Sequence, residues 1–211
     1  ATGTQADLDP GQRVPLQLLV DASDPRLAAE AATLGQRDFG ENRAPELATK
    51  APNLPSDIRW HFIGSLQTRQ AKLAVPYTML LHSLDRSRLV NTWARFDDPA
   101  PVLIQVNVAA EAQKHGVAPA AAGDLLAEVN DAGLVCLGLM TIPPLGTRPE
   151  DSREWFVALR NLQCQLRADH RELTHLSMGM TDDFEVAVEE GATIIRVGRA
   201  IFGAPGQYKD L

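Results

Sequence analysis

Eight short apolar or β-branched runs recur along the 211 residues, separated by longer stretches whose apolar residues repeat with helical period. The runs are 16–21, 37–39, 60–63, 79–82, 102–106, 135–140, 174–177 and 193–197. Between them, helices are predicted over 25–34, 43–50, 66–74, 86–96, 119–131, 149–168 and 181–190. Pro25 and Pro119 fall near two helix starts, where a missing N–H costs nothing. Val102-Leu103-Ile104-Gln105-Val106 and Val135-Cys136-Leu137-Gly138-Leu139-Met140 are almost continuously apolar, as expected of parallel strands covered by helices. Alternating βα units have two common solutions, an open doubly wound sheet or a closed (β/α)8 barrel. Eight units in 211 residues favour the barrel. The predicted fold is therefore α/β, one TIM-type barrel domain over residues 1–211, with 1–14 a poorly ordered or shortened N-terminus. The Pro-rich stretch 141–149 lies between a strand and a helix and reads as a loop, not a domain linker.

Composition excludes several classes of function. Hydrophobic residues make up 45% and charged residues 22%, as in ordinary globular proteins, so disordered and fibrous classes drop out. With 20 Lys+Arg against 27 Asp+Glu, the net charge of −7 lacks the basic footprint of a nucleic-acid binder. No apolar run approaches the ~18–20 residues that span a bilayer, and the start lacks the regions of a signal peptide, so no membrane partner and a cytoplasmic location are expected. The chain begins on Ala1, which leaves the completeness of its N-terminus open. Cys136 and Cys164 have no metal-type spacing and are expected to be free buried thiols. His170 and His175 match no ligand spacing either, and no metal is assigned. GxGxxG, GxxxxGK[ST], GxSxG and HExxH motifs are all missing.

Ligands of such sheets and barrels bind at the carboxyl ends of the strands. At the seventh lies Leu176-Ser177-Met178-Gly179-Met180-Thr181-Asp182-Asp183, a corner that either cradles a phosphate or is closed by Thr181 or Asp182 as a helix cap. At the eighth lies Ile195-Arg196-Val197-Gly198-Arg199-Ala200-Ile201-Phe202-Gly203, with an arginine inside an apolar strand. A buried Arg196 needs a partner, which is either a carboxylate inside the barrel or a ligand. Barrel phosphate sites often follow strands seven and eight, so the two corners reinforce each other. Asn42, in the turn Phe39-Gly40-Glu41-Asn42, could face a bound ring. His61 reads as a packed strand residue, while His82 and Ser83 are balanced between facing the site and facing away.

These stretches, together with Trp60-His61-Phe62-Ile63-Gly64, Leu66-Gln67, His82-Ser83-Leu84-Asp85, Gln105-Val106-Asn107 and Gly138-Leu139-Met140, occur in the order found in the pyridoxal phosphate homeostasis proteins. The chain resembles that family over about residues 36–203. The resemblance implies a barrel like that of alanine racemase, which binds pyridoxal 5′-phosphate and buffers or delivers it without strong catalysis. It implies a phosphate held by Ser177, Gly179 and the backbone near Gly198 and Arg199, with Arg196 near the pyridine nitrogen and Asn42, Ser83 and Met140 along the ring.

The family's first strand ends in a Ser-Lys pair whose lysine forms a Schiff base with the cofactor. Here the run is Val20-Asp21-Ala22-Ser23-Asp24-Pro25, and Ala22, or with a shifted gap Asp21 or Ser23, stands where the lysine would be. Of the four lysines, Lys50, Lys72 and Lys209 fall on helices or the tail, and Lys114 alone lies near the ligand face. The family's Leu-Gln-x-Asn-Lys also appears changed, as Leu66-Gln67-Thr68-Arg69-Gln70, and its long first helix is missing or shortened before Val14. The expectation is a non-enzymatic monomer with no catalytic residue, holding pyridoxal 5′-phosphate or a related phosphate ester without a covalent bond. The alternatives are a degenerate barrel that works through protein contacts and, on the same fold, a cofactor-dependent racemase or lyase, which would need the missing lysine.

Overall fold

The computed structural model describes residues 15–21, 24–110, 115–144 and 146–202. Ala22, Ser23, Lys114, Gly203, Lys209 and the segment 1–14 lie outside the described residues. Eight parallel strands close into a barrel in sequence order: β1 Gln17–Asp21, β2 Asp38–Glu41, β3 Arg59–Phe62, β4 Thr78–Leu84, β5 Val102–Gln105, β6 Cys136–Met140, β7 His175–Met180 and β8 Ile194–Val197. Closure comes from β1 pairing with β8, Leu19 opposite Arg196 and Val20 opposite Val197. The helices on the outside are α1 Pro25–Thr33, α2 Ala44–Lys50, α3 Ala71–Ala74, α4 Ser87–Trp93, α5 Ala122–Asp131, α6 Arg153–Leu166, α7 Phe184–Glu189 and α8 Arg199–Phe202. Among the described residues no helix is long and apolar enough to cross a membrane.

Local chemistry sets the helix ends. Asp24 accepts the Arg26 amide at 2.8 Å and Pro25 opens α1, while Gly35, at φ +97°, supplies the left-handed residue that turns the chain into β2. The stretches predicted as helix from 66, 119 and 149 begin in 3-10 turns, at Thr68–Gln70, Pro119–Ala121 and Pro149–Ser152. Neither Thr181 nor Asp182 caps α7: that position belongs to Asp183, whose carboxylate takes the Met180 amide at 2.7 Å and the Ser152 hydroxyl at 2.8 Å. Both cysteines are free, but only Cys136 is buried. Phe156, Leu159 and Gln163 form the inward stripe of α6, which turns Cys164 to the surface.

Period-2 alternation divides the interior into two cores. Outward-facing strand residues such as Phe39, Trp60, Phe62, Leu81, Ile104, Leu139, Ile195 and Val197 pack beneath the helices. Inside the barrel, Leu19, Leu80, Leu103, Met140 and Ile194 form a smaller apolar plug. Gly138 marks the tightest strand contact, because a Cβ there would lie 2.0 Å from the His175 carbonyl oxygen. Backbone cannot yield as a flexible side chain would, so Gly138→Ala is expected to cost about 3 kcal/mol or more. Urea denaturation of the variant beside wild type measures it, and a loss below about 1 kcal/mol would show that β6 and β7 can part.

Candidate functional site

The polar residues that face into the barrel are arranged as a chain. Arg196 Nη1 donates to Ser177 Oγ at 2.8 Å, and Nη2 donates to the Thr141 carbonyl oxygen at 2.9 Å. Ser177 Oγ lies 2.9 Å from His82 Nδ1, and His82 Nε2 lies 3.0 Å from His61 Nδ1. His61 Nε2 lies 3.3 Å from Asp38 Oδ1, and Asp38 in turn accepts both ends of the Arg59 guanidinium, at 2.7 and 2.5 Å. The chain thus crosses from the carboxyl end of the barrel, where Arg196 and Thr141 sit, to the amino end, where Asp38 and Arg59 begin their strands.

The surroundings decide the charges. Burial, together with the nearby His61, Arg196 and His175, holds His82 well below the ordinary imidazole value. Burial also lowers His175. For Asp38 burial pulls upward, but the hydrogen bonds from Arg59 and His61 outweigh it and hold the carboxyl well below the usual range. Burial pushes Arg196 down to about 10, and the described residues give its guanidinium no carboxylate hydrogen bond. Its hydrogen-bond partners are the Ser177 hydroxyl and the Thr141 carbonyl, and the Asp183 carboxylate acts on it only through charge.

An acid sensitivity follows. An imidazole neutral in the folded state but free to protonate near pH 6.5 when unfolded makes the unfolded chain bind more protons below that pH. His82 and His175 should therefore remove stability as pH falls from about 6.5, by up to about 1.4 kcal/mol per pH unit for each group. Asp38 acts in a separate window, its contribution being present above about pH 4 and lost below. Urea midpoints from pH 8 to 5.5 measure the first effect, and a flat profile would contradict it.

The remaining candidates surround the carboxyl end of the barrel. Met140 is fully buried in the apolar plug and pairs in register with Ser177. Ser83, 1% exposed, has a buried hydroxyl without a hydrogen-bond partner. Asn42 is exposed at the end of β2, and its carbonyl oxygen would lie 2.1 Å from a Cβ on Gly64, which locks the β2 and β3 ends together. Gly179, at φ +92°, is required by packing, since a Cβ there would meet Ala187 Cβ at 2.6 Å. The Gly198 carbonyl accepts the Ile201 and Phe202 amides, and Arg199 pairs with Asp182, tying the ends of β7 and β8. Arg196, Ser177 and Met140 are thus brought together, with Gly179, Gly198 and Arg199 at the same strand ends, while Asn42 lies just after β2 and Ser83 near the end of β4.

Asp38, His61 and Thr141 escaped the sequence reading as site residues. Alternation was the available signal: Trp60 and Phe62 pack outward, so His61 must point inward. A cavity of about 340 Å3 lies between the segments that follow β6 and β7, lined by Pro143, Pro144, Arg148, Met180, Asp182 and Asp183 among others. Its lining contains none of Ser83, Met140, Ser177 or Arg196, but it includes Asp183, whose charge acts on Arg196. Of the lysines, Lys50 is buried outside the barrel with its Nζ 2.5 Å from Glu41 Oε2, and Lys72 is exposed on α3. Among the described residues no group of three or more His, Cys, Asp or Glu could hold a metal ion.

No family model matches the chain. A pyridoxal phosphate homeostasis protein of Aquifex aeolicus is 43% identical over 186 residues, covering 85% of this chain and 82% of that one. The protein of that name from Homo sapiens is 35% identical over 196 residues, with coverages of 84% and 71%. Among solved structures, PipY of Synechococcus elongatus with pyridoxal phosphate bound is 32% identical at a TM-score of 0.78, covering 93% of this chain and 94% of its own. Alanine racemase of Corynebacterium glutamicum shares the fold alone, at 14% identity and a TM-score of 0.72 over 92% of this chain and 58% of its own. With identities of 35–43% over more than four-fifths of its length, this chain belongs to the pyridoxal phosphate homeostasis protein family.

Proposed function

We propose that the carboxyl end of the barrel binds pyridoxal 5′-phosphate reversibly and without a covalent bond, and that the protein carries or buffers the cofactor rather than catalysing with it. One observation carries the reading: a buried, charged Arg196 stands at the strand ends with no carboxylate hydrogen-bonded to it among the described residues, the Asp183 carboxylate acting on it through charge alone. A guanidinium has five N–H donors, and the inward contacts of Arg196 engage one on each Nη, so acceptors on a ligand can take the others. The unpartnered Ser83 hydroxyl fits the same reading, because a buried polar group without a partner costs about 1–3 kcal/mol unless a ligand satisfies it.

In this arrangement Arg196 faces the pyridine nitrogen, and Asn42, Ser83 and Met140 border the ring. The turn at Gly179, the start of α8 at Gly198 and the Arg199 guanidinium receive the phosphate. When bound, the cofactor supplies an electrophilic aldehyde and an electron-accepting ring. This chain's residues orient that ring and shield one edge of it from water, and no described amine stands at a strand end to use its chemistry. That deficit, joined to a family name that denotes homeostasis, supports carriage over turnover.

Calorimetry at pH 7.5 with pyridoxal 5′-phosphate and with pyridoxine 5′-phosphate, which lacks the aldehyde, tests the reading. Binding of both with similar affinity is expected, with Ser83→Ala weakening each about five- to tenfold through one lost hydrogen bond. Binding of the aldehyde form alone, or of neither, would refute it.

A further inference from the structure

We propose that His61 and His82 are positioning residues: with Ser177 they form a hydrogen-bonded wire of one polarity, Arg196 to Ser177 to His82 to His61 to Asp38, that sets the orientation in which Arg196 meets its ligand. The wire's two ends fix its direction. Arg196 can only donate, and the Asp38 carboxylate, gripped by Arg59, can only accept. Starting from Asp38, His61 must present Nε2–H, and in the neutral ring that the proposal requires Nδ1 is then an acceptor. His82 must then donate from Nε2, and its Nδ1 is left to accept the Ser177 hydroxyl. The Ser177 oxygen in turn receives Arg196. Every contact is satisfied by two neutral imidazoles, and reversing the polarity would set a His61 lone pair against the Asp38 carboxylate unless an extra proton entered.

Burial and the Arg196 cation both disfavour a charge on His82. His61 of β3 is its hydrogen-bond partner, Arg196 of β8 stands one serine away, His175 of β7 acts on it only through charge, and Asp38 of β2 lies on the far side of His61. Both imidazoles are fully buried, so the proton positions are set inside the barrel and not by water. A consequence separates the Ser177 hydroxyl from the phosphate role the sequence suggested. Its proton is directed at His82, inside the barrel, and its oxygen is taken by Arg196. Ser177 therefore acts on the ligand through Arg196. The Thr141 carbonyl supplies the second fixed point, and two contacts to different Nη atoms define the plane of the guanidinium.

The ligand in this inference is that of the reading above, but the wire itself is tested without one. A 15N–1H correlation spectrum of imidazole-labelled wild type at pH 7.5, assigned through the backbone, should show His61 and His82 both as neutral Nε2–H tautomers. An Nδ1–H tautomer or an imidazolium at either position would overturn the wire. Pyridoxine 5′-phosphate titrations then test the action through Arg196, using His82→Phe, Ser177→Ala and the double variant. Each single change is expected to weaken binding about tenfold, and the pair no more than about tenfold, because both cut the same connection. Losses that multiply to about a hundredfold would mean that Ser177 touches the ligand on its own and would overturn the positioning role. His82→Asn, which keeps an acceptor for Ser177, should recover most of the affinity, and failure to do so while the variant melts like wild type would count against the wire. Wild type that binds no probe removes the cofactor reading, and the tautomer spectrum still decides the wire.

Discussion

Arg196→Met is expected to weaken pyridoxine 5′-phosphate binding about a hundredfold while raising the melting temperature by a few degrees. The two effects have one cause. Burial lowers the Arg196 pKa from the ordinary 12.5 to about 10, so the folded protein holds the cation less well than water does, at a cost of roughly 3 kcal/mol. Methionine fills similar space without a charge, and well-packed apolar replacements of buried ions are often stabilising. Against this gain, Ser177 and the Thr141 carbonyl each lose a donor, about 1 kcal/mol apiece. A net rise of about 1 kcal/mol corresponds to about 2–4 °C in a chain of this size. The affinity loss is that of one or two hydrogen bonds to a charged donor, about 1.5–3 kcal/mol each. Thermal melts of the ligand-free protein and calorimetry on the same preparations measure both. A variant that lost stability as well as affinity would show that Arg196 belongs to the scaffold, and the reading of a cation held for its ligand would fail.

What the sequence made legible follows from how far each signal reaches along the chain. All eight strands were readable because each is a short run with outer residues such as Phe62, Ile104 and Val197 beneath helices, a pattern local to five or six residues. The four residues of α8 were not, since a single turn is too short to display a period. The helix predicted from 181 begins at Phe184 because Asp183 closes a turn back to Met180, and turn chemistry outweighs helical propensity there. The same limit governs the site. Arg196 stood out as a charge within Ile194–Val197, and Ser83 and Ser177 as polar residues at strand ends. The wire did not, because His82 and Ser177 are 95 residues apart and meet only when β4 and β7 face each other across a closed barrel. Alternation tells which way His61 points but not what it touches.

Purified protein mixed with pyridoxal 5′-phosphate should show no visible absorption band of an enclosed covalent adduct, and borohydride should fix no cofactor to the chain. A stable bond to the aldehyde needs a neutral amine held within reach, and none of the described lysines offers one: Lys50 is ion-paired behind β2 and Lys72 faces solvent on α3. On the binding mode proposed above, the site lacks only the amine. Asp21 pairs in register with Gly40 at the end of β1, and Val20 lies opposite Val197 of β8, so the chain leaves β1 beside the strand that carries Arg196. If the ring lies against Arg196 and the phosphate near Gly198 as proposed, a lysine placed immediately after that point should meet the aldehyde, and such preorganisation raises effective concentration by orders of magnitude. Ala22→Lys is therefore expected to turn the mixture yellow and to give a borohydride-fixed adduct on residue 22, a change from none to near one cofactor per chain by mass spectrometry. Asp21→Lys and Ser23→Lys test the two neighbouring registers, and one of the three should exceed the others by tenfold or more in the rate of adduct formation. Wild type that is itself yellow, with its adduct mapped to Lys114, would overturn non-covalent binding and restore an enzyme as the better reading. If all three variants fold, bind pyridoxine 5′-phosphate and remain colourless, the ring does not lie between Arg196 and the end of β1, and the proposed orientation of the cofactor is wrong.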